Sequence, residues 1–501
     1  MSWEIDYLAL LPEIGIIVTI LVVLALDLFL PRPLKYWTAT VAVLGVTLSA
    51  IPLILLWASE PRIPMFDGSY VVDDFAIVLK GLFLVAGYIT LLMSVAHIES
   101  DRYYQGEYYV LLLASLLGSM VMASSRDLVV LFIGLELTTS PLFMLAGWRK
   151  GDLKSNEASL KYFILGVLST AILLWGMSML FGLTGAVQFN EISAAVDAIM
   201  TDQPHMQPLL GLAVMFMLVG FGFKVSAVPF HFWAPDTYEG APTPVAAYLS
   251  VSSKAAGFVG LFVILYVALP GAATYWGPAL WAMAALSMTV ANLAALRQTN
   301  IVRLLAYSSI AQAGFMLVPF AAAAVNGREN LGAGLEATVV YLVIYALMNL
   351  GAFTVVMVAS KRTGTGDLAG WAGLGRRDPR LGILAAIFFF SLAGIPPLAG
   401  WWAKFVMFQS AIDAGGLAGG ILAVIAALNA VIAFYYYARV VKTMWFDSAP
   451  EGAEVFDDAP VGSLVWVLTV AAIATFVLGL LPDISNFFGR ATQVLIQAGG
   501  G

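Results

Sequence analysis

The chain has 501 residues, of which 61% are hydrophobic and 11% are charged, and its formal net charge is −7. Soluble domains average about 45–50% apolar and about 25% charged residues, so this composition excludes an ordinary soluble globular protein. The absence of cysteine excludes disulfides, thiolate-bound zinc and cysteine-bound iron–sulfur clusters.

Fourteen apolar segments follow one another along the chain, and each is long enough to cross a bilayer as a helix. Their predicted spans are 8–30, 37–58, 74–96, 108–125, 127–147, 157–182, 208–235, 243–269, 276–296, 300–324, 333–360, 382–413, 417–445 and 462–488. The longest polar connections are 184–207, 361–381 and 447–461. The sequence therefore predicts an all-α polytopic membrane protein with about 14 transmembrane helices and no soluble domain.

Lysine and arginine are distributed unequally between the predicted loops. The loops after odd-numbered spans hold fifteen of them, whereas those after even-numbered spans and the C-terminus hold four. The positive-inside rule places the basic loops in the cytoplasm, so we predict that both termini lie outside.

Five basic residues fall inside the spans, and all five are lysines: Lys80, Lys161, Lys224, Lys254 and Lys404. Burial can neutralise a lysine, whereas arginine stays protonated, so this choice of residue favours groups that load and unload a proton. Lys224 and Lys254 lie near the middle of their spans, where a side chain cannot reach the interface, and Lys404 lies past the middle of its span. Glu136 lies near the middle of the fifth span and is a candidate partner of such a lysine.

Each of these charges also has a structural interpretation. An ion pair could explain Glu136 and the central lysines, and Lys80 and Lys161 are shallow enough to extend toward an interface. His231 could shuttle protons as a near-neutral titrator, or anchor a broken helix through hydrogen bonds. No group of residues indicates a metal site.

Prolines interrupt two of the spans. Pro229 and Pro235 interrupt the seventh, and GIPPLAG (394–400) interrupts the twelfth just before Lys404. Broken helices that carry ionisable groups are typical of ion pathways. The two breaks lie in helices of opposite direction, so we predict two inverted-topology five-helix repeats, helices 4–8 and 9–13. The resulting division is 1–107 (three N-terminal helices), 108–269, 276–445 and 462–488 (a C-terminal helix).

The stretch FKVSAVPFHFWAPDTYEGAPTPVAAYLSVSSKAAGF, residues 223–258, resembles the signature of the antiporter-like subunits of respiratory complex I. These subunits belong to a wider proton-antiporter family, and the resemblance extends over residues 70–445. Lys254 within SSKAAG and Lys404 are most similar to the subunit N branch of bacterial NADH:quinone oxidoreductase. GIPPLAGWWAKF departs from the family pattern by carrying Trp401 where phenylalanine is usual.

The resemblance implies a proton-translocating subunit of the bacterial inner membrane that has no redox chemistry of its own. Glu136 then matches the fifth-helix glutamate that pairs with Lys224, Lys254 the eighth-helix relay, Lys404 the exit residue and Lys161 a sixth-helix lysine. NAD, FMN, iron–sulfur clusters and quinone are expected in partner subunits, with no cofactor or nucleic acid bound by this chain. The expected neighbours are the antiporter-like subunit M, the small subunit K and the lipid bilayer.

Three alternatives stay open at the level of sequence. The chain could belong to a multisubunit sodium/proton antiporter or to the membrane arm of an energy-converting hydrogenase, which share the fold and the lysines. It could also be a scaffold whose lysines only pair with acidic residues.

Overall fold

The chain folds into a bundle of helices with one small β-hairpin. The computed structural model describes residues 5–58, 63–98, 106–326, 330–449, 462–493 and 495. Within these ranges the α-helices are α1 (Tyr7–Phe29), α2 (Tyr36–Trp57), α3 (Asp74–Ile98), α4 (Glu107–Ser124), α5 (Leu128–Ala146), α6 (Leu153–Thr184), α7 (Phe189–Asp202), α8 (Gln207–Lys224), α9 (Trp233–Gly240), α10 (Thr243–Tyr248), α11 (Lys254–Val263), α12 (Ala273–Ala295), α13 (Ile301–Val325), α14 (Leu331–Thr363), α15 (Leu374–Arg377), α16 (Pro379–Ala393), α17 (Ala399–Asp413), α18 (Gly416–Phe446), α19 (Gly462–Leu480) and α20 (Pro482–Arg490). The strands β1 (Ile63–Met65) and β2 (Tyr70–Val72) pair antiparallel.

Thirteen helical stretches of the described residues are long and apolar enough to cross a membrane. The remaining predicted span, 382–413, is divided into α16 and α17, which have 15 residues each. A helix needs about 20 residues to cross the hydrocarbon core, so α16 and α17 can span it only together. The prediction of an all-α polytopic membrane protein with about 14 spans is confirmed, and the short hairpin holds the only strands in the described ranges.

The ends of the helices follow local side-chain chemistry. Asp127, Asp152 and Asn300 precede α5, α6 and α13, and each side chain accepts hydrogen bonds from the first free backbone N–H groups of its helix. Gly185 and Gly364 end α6 and α14 in the left-handed conformation, with φ of 69° and 68°. These signals explain why the predicted boundaries lie within a few residues of the observed ones.

Three elements differ from the prediction. The connection 184–207 contains α7, whose Phe189, Ile192 and Val196 are buried on one face, as in an amphipathic helix that lies along the bundle. The hairpin lies between α2 and α3. The predicted C-terminal helix 462–488 is wrong beyond Leu480, because Pro482 starts the separate helix α20.

Both predicted helix breaks are present. The seventh span is interrupted between Lys224 and Trp233, and the twelfth between Ala393 and Ala399. Nearly all side chains of α11, α13 and α14 are buried, whereas α1, α2, α6 and α18 each leave a broad face uncovered. The breaks and the central helices therefore place polar groups in the interior of the bundle. The division into repeats stays a prediction.

Candidate functional site

Lys224 is the last residue of α8, at the point where the seventh span breaks. Only 4% of its surface is exposed, and its Nζ donates a hydrogen bond to Thr139 Oγ1 of α5. Its stem passes Gly257 of α11, where an added Cβ atom would lie 2.7 Å from Lys224 Cγ. Glycine at position 257 therefore leaves the space through which the lysine reaches Thr139.

The polar backbone at this break is satisfied by side chains. The carbonyl of Phe223 accepts a hydrogen bond of 3.0 Å from Trp233 Nε1, and the N–H of Val228 donates one of 2.8 Å to Ser287 Oγ of α12. Non-helical backbone at membrane depth is tolerated when protein groups cover it in this way. These hydrogen bonds stabilise the break, which ends α8 at Lys224.

Glu136 lies on α5, three residues before Thr139, and is half-buried. Its carboxylate accepts hydrogen bonds of 2.9 Å from Thr170 of α6 and 3.4 Å from Ser140. In the part of the chain that the structure describes, no ion pair within 4.0 Å joins Glu136 to Lys224. The predicted pairing of Glu136 with Lys224 is therefore not a salt bridge in this structure, because Thr139 takes the hydrogen bond of the lysine.

Lys254 begins α11 and is 1% exposed. Its Nζ donates hydrogen bonds of 2.7 Å to the carbonyl and 3.0 Å to the hydroxyl of Ser309 on α13. π-Helical stretches, Leu249–Ser253 and Ile264–Ala268, lie on either side of α11. Such irregular turns are frequent at functional sites, and here one of them ends immediately before the lysine.

Lys404 lies on α17, after the second break, and is 5% exposed. Its Nζ donates a hydrogen bond of 2.6 Å to the carbonyl of Ala393, the last residue of α16. It also lies 5.2 Å from the centroid of the Phe315 ring, within the range of a cation–π interaction. Gly394 has φ of 90°, and an added Cβ would lie 2.7 Å from Lys404 Cδ, so glycine is required there for both conformation and space.

The three lysines share one chemical property. In the part of the chain that the structure describes, each ammonium group bonds to uncharged oxygens, and none has a carboxylate within 4.0 Å. Two other buried cations behave differently. Lys80 pairs with Glu13 at 2.8 Å, and Arg126 pairs with Asp73 at 2.8 Å. Buried charges that serve structure are normally paired, so the three unpaired lysines form a distinct class.

Lys161 lies apart from these lysines, at the edge of the bundle. Its side chain is 43% exposed and pairs with Glu157 at 2.6 Å and with Asp236 at 2.7 Å. Arg303 of α13 pairs with the same Asp236 at 2.7 Å. These contacts make Lys161 part of a partly exposed ion-pair network that joins α6, α9 and α13.

His231 lies in the break between α8 and α9 and is buried. Its ring contacts that of Phe232, with centroids 4.5 Å apart, and its Nδ1 has no hydrogen-bond partner among the described residues. No hydrogen bond within those residues joins it to a lysine of the site. The choice between a proton shuttle and a helix anchor stays open.

The structure adds polar residues that the sequence did not single out. Thr139 and Ser309 hold two of the lysines, and several buried tyrosine hydroxyls lie close to Lys254, each beside a serine. These are Tyr162 beside Ser253, Tyr238 and Tyr345 beside Ser309, and Tyr248 beside Ser252. Buried polar groups ordinarily bind protein or water, so this region is suited to hydration. Isolated serines and tyrosines in apolar helices carry no sequence signal for such a role.

Comparison with known proteins identifies the family. The family model described as NADH:quinone oxidoreductase/Mrp antiporter, TM, matches residues 125–431. Subunit N of the NADH-quinone oxidoreductase of Trichlorobacter lovleyi is 38% identical over 489 residues, which cover 97% of this chain and 97% of that protein. This chain belongs to the family of NADH-quinone oxidoreductase subunit N. The match of the family model includes Glu136 and the three unpaired lysines, whereas Lys80 and Glu13 lie outside it.

Solved structures extend the comparison with the subunit N family. A chain of respiratory complex I from Thermus thermophilus with bound aureothin is 32% identical, has a TM-score of 0.76, and the match covers 95% of this chain and 98% of that one. A chain of the Mrp complex from Dietzia sp. has a TM-score of 0.84 at 19% identity, covering 99% of this chain and 100% of that one. The second likeness concerns the fold alone.

Proposed function

We propose that this chain is a proton-translocating subunit in the membrane arm of an NADH:quinone oxidoreductase. The observation that carries the proposal is the set of three buried lysines, Lys224, Lys254 and Lys404, whose ammonium groups bond only to uncharged oxygens among the described residues. The family, and the relatives named as subunits of that enzyme, support the coupling to NADH oxidation.

The energetic cost of these lysines argues for a function. A charge near the bilayer centre costs at least about 2.5–3.5 kcal/mol on insertion scales. Apolar residues of similar volume would pack the same sites without that cost, as buried ion pairs replaced by apolar residues show. A lysine without a counter-charge can exist as an ammonium ion or as an amine, and the second state removes the cost. This interchange is the chemistry of a proton carrier.

The proton passes, in this proposal, from Lys224 to Lys254 and then to Lys404. Glu136 favours the ammonium form of Lys224 through its charge. Glu136 is half-buried and Ser140 one turn later is exposed, so a neighbouring subunit could change the surroundings of that carboxylate. When the carboxylate is drawn away, Lys224 releases its proton and becomes an amine. The buried hydroxyls and the water that they bind carry it to Lys254.

The ion and the coupling are tested together in inverted membrane vesicles that hold the assembled complex. We expect NADH to drive proton uptake into the vesicles in sodium-free buffer, measured with a pH-sensitive dye. A subunit of a sodium/proton antiporter predicts the opposite pattern. In that case NADH drives no uptake, and an imposed sodium gradient alone changes the internal pH.

The redox groups and the neighbours follow from the same proposal. NAD, FMN, iron–sulfur clusters and quinone belong to other subunits, and this chain contributes proton transfer alone. The small subunit K and the antiporter-like subunit M are the proposed neighbours, and the bacterial inner membrane is the proposed location. Cross-linking from residues introduced next to Ser140, followed by mass spectrometry, would identify the neighbour that faces Glu136.

The orientation of the chain can be tested because it contains no cysteine. Loops that follow odd-numbered spans cluster on one face, where Arg439 donates to the carbonyl of Leu296 and Lys154 pairs with Glu239. We propose that this face is cytoplasmic. A membrane-impermeant maleimide applied to the periplasmic side should therefore label Asp202→Cys on α7 and leave Gly151→Cys unlabelled. The reverse pattern would invert the proposed topology.

Lys161 should be less important than the unpaired lysines. Its ion pairs with Glu157 and Asp236 are partly exposed, and such pairs are worth about 0–1 kcal/mol. We expect Lys161→Gln to leave proton uptake within about twofold of the wild-type rate, since 0.5 kcal/mol is about a factor of two. Complete loss of uptake in an assembled complex would instead place Lys161 in the relay.

A further inference from the structure

Two consecutive prolines create two free acceptors at the end of α16. In a helix the carbonyl of residue i accepts from the N–H of residue i+4, and proline has no N–H. Pro396 and Pro397 therefore leave the carbonyls of Leu392 and Ala393 without their helical donors. Adjacent carbonyls at a helix end point in nearly the same direction along the axis. Both free acceptors are thus directed toward the second break.

The two carbonyls receive different donors. Lys404 Nζ donates to the carbonyl of Ala393 at 2.6 Å, and Gln312 Nε2 of α13 donates to the carbonyl of Leu392 at 3.1 Å. Gln312 is 1% exposed. One acceptor therefore binds a group that can lose its proton, and the other binds an amide that cannot.

The orientation of the Gln312 amide is fixed by its partners. A backbone carbonyl can only accept, so the amide nitrogen must face Leu392. The amide oxygen then faces Tyr341 of α14, whose hydroxyl donates to it at 2.6 Å. Nε2 also lies 3.2 Å from the Tyr437 hydroxyl, and Tyr437 is hydrogen-bonded to Ser308. Four helices, α13, α14, α16 and α18, thereby hold this amide in one position.

Gln312 also lies between the two lysines. One face of α13 carries Ser309, which binds Lys254, then Gln312, and then Phe315, which contacts Lys404. The residues are three apart, so they follow one another along the same side of the helix.

We infer that Gln312 is a positioning residue for Lys404, because by occupying the Leu392 carbonyl it leaves the ammonium of Lys404 only the Ala393 carbonyl to bind. This inference rests on the proposed function, in which Lys404 must release its proton. Without the amide, the Leu392 carbonyl would be buried and unpaired one residue before the Ala393 carbonyl that Lys404 binds, and the ammonium of Lys404, which has further N–H groups, would donate to it as well. Two carbonyl acceptors hold an ammonium ion more firmly than one, so proton release from Lys404 would slow.

The test uses Gln312→Met in the assembled complex, since methionine keeps the length of the side chain and removes its hydrogen bonds. We expect the NADH-driven proton uptake rate to fall about fivefold, the factor expected when proton release from Lys404 requires one additional hydrogen bond to be broken. The solvent isotope effect on coupled NADH oxidation should rise, because proton release becomes rate-limiting. Gln298→Met is the matched control, since Gln298 follows the end of α12 and its side chain donates only to the carbonyl of Ala294 among the described residues.

Each result has a distinct meaning. An unchanged uptake rate, or a lower rate with an unchanged isotope effect, overturns the positioning role while the proposed function stands. Lys404→Ala is measured beside these variants, and normal pumping in it would remove the relay through Lys404 itself. If Gln312→Met does not assemble, Tyr341→Phe decides, because it removes the hydrogen bond that holds the amide oxygen of Gln312 and so weakens the hold of the amide on the Leu392 carbonyl. A rise of the isotope effect above the wild-type value in that variant supports the inference, and no rise overturns it.

Discussion

Replacement of Lys224 by alanine should abolish NADH-driven proton uptake while the complex still assembles. The substitution removes the ammonium group that bonds to Thr139 and lies closest along the chain to the first helix break. No other described lysine occupies that position between α5 and α11, so the proton has no carrier there. We expect uptake in inverted vesicles to fall at least about tenfold, which corresponds to about 1.4 kcal/mol. Coupled NADH oxidation should fall with it.

The control separates chemistry from assembly. Lys442→Ala removes a lysine whose side chain is 68% exposed and pairs with Asp447 at 3.5 Å, so it should pump normally. The amount of assembled complex is measured for both variants by native gel. If Lys224→Ala assembles and pumps at the wild-type rate, Lys224 is structural and the relay must begin elsewhere.

Replacement of Lys254 by arginine should also abolish pumping, although it preserves the charge. Arginine keeps the donors needed for the carbonyl and hydroxyl of Ser309, but it does not lose its proton under any condition that the protein experiences. A relay residue has to be both ammonium and amine during one cycle. We therefore expect proton uptake to fall at least about tenfold, equivalent to about 1.4 kcal/mol, as for Lys224→Ala.

Lys80→Arg is the matched control for this experiment. Lys80 is equally buried, but it pairs with Glu13 at 2.8 Å, and an arginine can keep that ion pair. The same substitution should therefore leave uptake close to normal at Lys80 and remove it at Lys254. Normal pumping by both variants would favour the scaffold, in which the lysines serve only as charges. Loss in both would indicate that the larger guanidinium group cannot be accommodated in either interior.

The two variants test different requirements of one mechanism. Lys224→Ala tests whether a protonatable group is needed at the first helix break. Lys254→Arg tests whether a permanent positive charge is sufficient at the start of α11. Moving one charge across the membrane requires about 2.3 kcal/mol per 100 mV. Electrostatic energies of this size change when an ammonium group in a low-dielectric interior gains or loses contact with a carboxylate or a carbonyl. The positions of Glu136 and of the free carbonyls at α16 therefore matter as much as the lysines.

Sequence alone determined the features that depend on composition and on local chemistry. Apolar segments of sufficient length predicted the spans, the prolines predicted both breaks, and the choice of lysine over arginine within the spans singled out the candidate carriers. Each of these signals lies within about 20 residues of chain, the length of one transmembrane helix. The sequence alone predicts these features because, inside a bilayer, every backbone N–H and C=O group must form its hydrogen bond within its own helix or with protein groups beside a break.

The tertiary structure decided which groups meet. Each of these contacts joins residues that are far apart in the sequence. Lys224 and Thr139 are separated by 85 positions, Lys254 and Ser309 by 55, and Gln312 and Leu392 by 80. Such contacts depend on how helices pack, and a serine or glutamine in an apolar helix gives no sign of its partner. For the same reason the family resemblance implied a pairing of Glu136 with Lys224, although Thr139 takes the hydrogen bond of the lysine, and nothing in the sequence indicated that Lys80 pairs with Glu13. Lys80 and Lys254 are equally buried, and the identity of the nearest oxygen, which is a property of the folded bundle, distinguishes them.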